Sequence, residues 1–228
     1  MSVPSRRTTV MTELNRRTYL QATGVATAGM VGLAGCSDTA AATGTLATQV
    51  TDQPGDIADF ESCVVTIQGV WVKPGEGGDG TETTNTVTEA TAGTSTAVVE
   101  QDEADVDESD DREYYEFDEA QEADLVELQN GNTELIDERE LEARRYEFLQ
   151  LDVTDVAGVL DGGDEAEVDT PGGAPLQFKT PFEIREEQVT TFTGDFTPVR
   201  RGQTGRYLLQ PVARGTSVEY GDATADDS

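Results

Sequence analysis

Apolar residues recur at alternate positions in several short runs of this chain, and β-branched or aromatic side chains fill most of them. Alternation of that kind marks strands with one buried face. Thr45 to Val50 predicts a first strand and Thr51-Asp52-Gln53-Pro54-Gly55-Asp56 a turn, while Cys63 to Val72 predicts a second strand stopping at Lys73-Pro74-Gly75. In the second run Val65, Ile67 and Trp71 share one face, and Val64, Thr66, Val70 and Val72 share the other. A strand apolar on both sides belongs in the middle of its sheet. Further strands are expected at Leu125 to Leu128 ahead of an Asn130-Gly131 turn, Tyr146 to Val153, Leu176 to Phe178, Phe182 to Ile184, Val189 to Phe196 and Arg206 to Ala213. Glu134 to Arg144 has helical propensity without a helical stripe and takes no assignment. Short strands at this spacing predict an all-β fold, a single β-sandwich over residues 44–214.

Two stretches break the pattern. Gly77 to Asp124 begins with Thr, Ala and Gly and turns densely acidic from Glu100 through Asp111. Its acids face only Arg112 as a cation, and so little apolar surface does not offset ordering entropy. A disordered acidic insertion is expected over 77–123, with order returning near Tyr114-Tyr115-Glu116-Phe117. The polar, acidic end from Gly215 to Ser228 is expected to fray.

The amino-terminal segment reads as an address. Asn15-Arg16-Arg17-Thr18-Tyr19-Leu20-Gln21 resembles the twin-arginine export signal, with Arg16 and Arg17 as its pair, and the uncharged run from Ala22 to Gly35 is too short to span a bilayer. Leu33-Ala34-Gly35-Cys36 resembles a lipobox: small residues at a cleavage site, then a thiol that becomes acylated. The expectation is a signal peptide over 1–35, a lipid on Cys36, a linker over 36–43, and a domain that crosses the membrane already folded. Its partners are then the twin-arginine export machinery and, through the lipid, the outer face of a cell membrane.

Charge narrows the function classes. Acidic residues outnumber basic ones 46 to 15, the formal charge is −31, and Lys73 and Lys179 are the only lysines. Phosphate backbones are repelled by such a chain, which excludes nucleic acid as a partner. Acidity with so little Lys points to a halophilic archaeon, since molar salt shortens the Debye length to about 3 Å and screens the self-repulsion. No His occurs, which removes Ser-His and Cys-His nucleophile pairs and most zinc sites. Cys63, alone in a predicted strand, reads as a buried inert thiol.

Four pieces occur in an order that resembles the exported prokaryotic family called domain of unknown function 4382. They are Gly44-Thr45-Leu46 with Thr51-Asp52-Gln53-Pro54; Val64 to Val72; Asp124-Leu125-Val126-Glu127-Leu128 with Asn130-Gly131; and Tyr207-Leu208-Leu209-Gln210-Pro211-Val212. The resemblance covers roughly residues 44–214. It implies a sandwich of the transthyretin or immunoglobulin type behind a lipoprotein signal, and it offers no catalytic residues to carry over.

Candidate chemistry is sparse. Asp105, Asp107, Ser109, Glu113 and Glu116 fall at EF-hand-like offsets, so Asp105, Asp107 and Glu116 are the candidate calcium ligands, although Asp110 stands where the loop needs Gly. No other cofactor is implied. Arg200, Arg201 and Arg206, with Arg214 nearby, form the one locally basic patch, a candidate clamp for the acidic insertion or for an anionic glycan. Two carboxylates alone suffice for glycoside hydrolysis, but no pair stands out. A non-enzymatic surface module that binds a ligand or partner is the first expectation, and a carboxylate-dependent hydrolase or a calcium-binding domain is the alternative.

Overall fold

The computed structural model describes residues 41–52, 55–75 and 101–222. Eleven strands carry the described chain: β1 (Thr43–Thr51), β2 (Phe60–Pro74), β3 (Glu113–Asp124), β4 (Glu134–Glu142), β5 (Arg145–Leu160), β6 (Glu165–Asp169), β7 (Leu176–Phe178), β8 (Phe182–Glu183), β9 (Gln188–Arg200), β10 (Arg206–Pro211) and β11 (Ser217–Asp222). They form an all-β sandwich. One sheet runs β4-β1-β9-β11 and the other β3-β2-β5-β6-β10-β9. Strand β9 belongs to both, because Val189 to Asp195 pair with β1 while Phe196 to Arg200 pair with β10. A strand that changes sheets makes a corner, and Asp195 sits at it.

The core fills the space between the sheets with the inward side chains of each strand. Leu46 and Val50 come from β1, Val65, Ile67, Val70 and Val72 from β2, and Leu149 and Leu151 from β5. Aromatic rings close one end, with Phe182 5.3 Å from Phe192 and 5.2 Å from Tyr146 between centroids. Burying each such side chain stabilises the fold by about 1.5–3 kcal/mol. Strand β2 is central, between β3 and β5, as its pattern predicts. Its register shifts between Ile67 and Gly69, however, so the inward set changes parity from Ile67 to Val70 and Trp71 turns to the outer face. One inserted residue flips every side chain beyond it. Gly69 fits there because a Cβ would lie 2.6 Å from the Tyr115 carbonyl oxygen and 2.8 Å from the Tyr114 hydroxyl.

Several sequence expectations are corrected. Leu125 to Leu128 is a turn, though both leucines are buried, and Glu134–Glu142 is a strand that its acidic composition had hidden. Residues 217–222, expected to fray, pair with β9 as β11. The largest correction concerns the acidic insertion: residues 101–123 are ordered, and its earlier part, 77–100, lies outside the described residues. Strand β3 pairs with β2 from Val64↔Asp124 to Val72↔Glu113, burying Phe117 and Ala123 while most of its acids face water.

Residues 101–112 are fastened by a line of buried glutamines. Gln101 donates its backbone N–H to Gln210 Oε1 at 2.7 Å and accepts the Gln177 N–H at 2.9 Å. Gln177 Oε1 accepts from the Asp107 N–H at 2.7 Å and from Gln150 Nε2 at 2.9 Å. Gln150 also donates to the Asp107 carbonyl at 2.8 Å and accepts from Arg112 at 2.8 Å. Side-chain amides thus join the strap to β5, β7 and β10. Partners far away in sequence supply what the local composition lacks.

Candidate functional site

A groove of about 820 Å³ opens on the second sheet, where β6 parts from β5. Strand β6 pairs antiparallel with β5 only from Ala157↔Glu167 to Val159↔Glu165. It then leaves to run parallel to β10, with Tyr207 opposite Val168. The chain returns to β5 at Leu176↔Leu151 after an arch in which Gly172 and Gly173 hold φ of 63° and 74°. Those angles favour glycine, and a Cβ on Gly172 would strike the Glu103 side chain. Asp152 to Val156 line one wall, Val168, Asp169 and Thr170 the other, and Arg201, Thr204 and Arg206 overhang from the β9–β10 turn.

The sequence-predicted arginines divide by role. Arg200 donates to the Tyr207 hydroxyl at 2.7 Å and pairs with Asp59 at 3.1 Å, which fixes the turn rather than offering a free charge. Arg206 is held by Glu167 and by Asp169 at 3.0 Å. Arg201 makes no side-chain ion pair among the described residues, and it lines both this groove and a neighbouring cleft of about 420 Å³ beside Gln101 and Asp102. Arg214 is exposed in the turn before β11 and lines neither. The carboxylates Asp152, Asp155 and Asp169 were not foreseen; the signal that points to them is a polar stretch inside the long strand β5.

The calcium candidates do not converge. Asp105 accepts the Asp102 N–H at 3.2 Å, and Asp107 is taken by Ser109 and by Lys73 at 2.9 Å. The Ser109 hydroxyl and the Lys73 ammonium hold the Asp107 carboxyl at about 2, well below the usual range. Glu116 is exposed on β3, carried away by the extended backbone. Among the described residues no group of three or more His, Cys, Asp or Glu side chains is arranged to hold a metal.

A buried acid lies at the sheet corner instead. Asp52 follows β1 and is 1% exposed; Asp195 on β9 is fully buried. Burial pushes the Asp52 carboxyl up to about 8, with the Thr197 hydroxyl opposing and the Asp195 charge adding to the rise. Gly215 closes over Asp195 so tightly that a Cβ there would lie 1.5 Å from Oδ2. Cys63 is a free, buried thiol nearby, and burial with the charges of Asp124 and Asp52 raises it to about 12. Asp52 and Asp195 line neither the groove nor the cleft beside Gln101.

Cys36, Arg16 and Arg17 lie outside the described residues, and no helix among the described residues is long and apolar enough to cross a membrane. No curated protein and no solved structure matches the chain. A family model does, over residues 43–211, which takes in β1 to β10, the groove and the acid corner: the chain belongs to the family described as Domain of unknown function (DUF4382).

Proposed function

We propose that the chain is a lipid-anchored recognition module on the outer face of a halophile's cell membrane, exported folded through the twin-arginine route and held by an acyl chain on Cys36. The addressing half rests on Asn15 to Gln21 followed by Leu33 to Cys36. The recognition half rests on one observation: charged and hydroxyl side chains from β5, β6, the arch and the β9–β10 turn converge on one open groove. A hydrolase is the second reading, because three carboxylates line that groove. Asp169 is committed to Arg206, however, and Asp152 accepts the Tyr114 hydroxyl at 2.7 Å. Among the described residues Asp155 is left as the only groove carboxylate without a side-chain partner, and the chemistry needs two.

Cys36→Ser tests the addressing. The unaltered protein is expected in the membrane fraction with an acyl mass on its first residue, and the variant in the medium or unprocessed. An unchanged membrane fraction would refute the anchor. Each buried CH₂ of the acyl chain contributes about 0.8 kcal/mol to retention.

A further inference from the structure

We propose that the groove accepts an extended peptide segment of a partner protein as an added strand along Asp152 to Val156 of β5. Strand β5 pairs with β2 along one side from Tyr146 to Leu160, with Thr154 bulged between Val153 and Asp155. Along the other side β7 covers Leu149 to Leu151 and β6 covers Ala157 to Val159. The five residues between have a strand on one side only, and no other backbone group among the described residues bonds to them. This is an open edge in mid-sheet, framed by strands that already pair antiparallel.

The groove touches Asp152, Val153, Thr154, Asp155 and Val156 in succession. Successive strand side chains point to opposite faces, so a groove that meets five in a row meets the strand edge-on. Val168, Asp169 and Thr170 face it in succession as well. A slot between two backbone edges suits a third extended chain, whose N–H and C=O groups complete the ladder. What singles out a peptide is the run of free backbone groups along Asp152 to Val156, which an extended chain fills residue by residue. Charge narrows the occupant further. Among the described residues Asp155 on one wall and Arg201 on the overhang have no side-chain partner, so the peptide carries a basic and an acidic residue, with apolar side chains against Val153, Val156 and Leu208. Backbone hydrogen bonds and apolar contacts also persist where molar salt screens ion pairs.

The proposal deepens the recognition reading and rests on it. The test uses the mature chain in molar salt with fluorescent peptides of about seven residues that alternate Val or Ile with Lys, Glu and Thr. Each has a copy methylated at alternate backbone nitrogens, and a neutral glucan and an anionic glycan serve as further probes. Anisotropy is expected to show peptide binding that methylation weakens at least about tenfold, while amide exchange slows at Val153 to Val156. The exposed-site variants Asp155→Lys and Arg201→Glu are expected to weaken binding several-fold. Equal binding of methylated copies, or protection confined to other strands, overturns the proposal. Glycan binding lost in Arg201→Glu, with no peptide bound, also overturns it yet leaves a recognition module standing. Binding of neither class overturns both.

Discussion

Asp52→Asn is expected to stabilise the folded chain at pH 8 by on the order of 5 kcal/mol, and to change little at pH 4. The unfolded Asp52 carboxyl loses its proton near its ordinary value of 3.8, whereas the folded one keeps it until about 8. Across that window the unfolded state binds fewer protons, so the wild-type fold loses stability as pH rises. The loss is complete above the folded value and absent below the unfolded one. Asn mimics the protonated acid in shape, remains neutral, and carries no such slope. An effect of this size is comparable to the whole stability of many domains. Denaturant titrations of both proteins in molar salt, from pH 4 to 9, should give curves that meet at the acid end and diverge steadily through the window. Parallel curves would show that Asp52 ionises in the fold as freely as in the unfolded chain.

Much of the sandwich was legible because its inward strands alternate: Thr45 to Val50 and Cys63 to Val72 each lie within the strands that form. What was misread has local physical causes. The β2 bulge moves Trp71 from the expected core face to the outside, and periodicity alone does not announce an inserted residue. Glu134–Glu142 and Ser217–Asp222 are strands at the margins of their sheet, where outward acids are tolerated and discourage edge-to-edge pairing. Order in residues 101–123 comes from partners such as Gln150, Gln177 and Gln210, far off in sequence, which a reading of local composition does not see. The candidate site was less legible still. Asp52 reads as a turn residue, Asp195 sits in a run of Thr, Gly and Phe that reads as an ordinary strand, and the groove exists only because β6 changes partners.

Gln150→Leu tests that account of the acidic strap, with an expected loss of about 3–5 kcal/mol. The side chain is fully buried and serves three partners: Arg112, the Asp107 carbonyl and Gln177. Leucine fills the space but leaves those groups without their partner, and a buried polar group left unpaired costs about 1–3 kcal/mol. Arg112 carries this loss into the strap, because it stacks on Trp71 at 4.5 Å and donates to the Ser109 carbonyl at 3.0 Å. Releasing it loosens the strap at its junction with β3. Amide exchange should therefore accelerate first across residues 101–112, while β1 and β9, held by their own ladder, keep their protection. Uniform acceleration would mean that the strap and the sheets open as one unit. An unchanged midpoint with unchanged exchange would mean that the glutamine line does not hold the strap, and that the order of the acidic segment has another source.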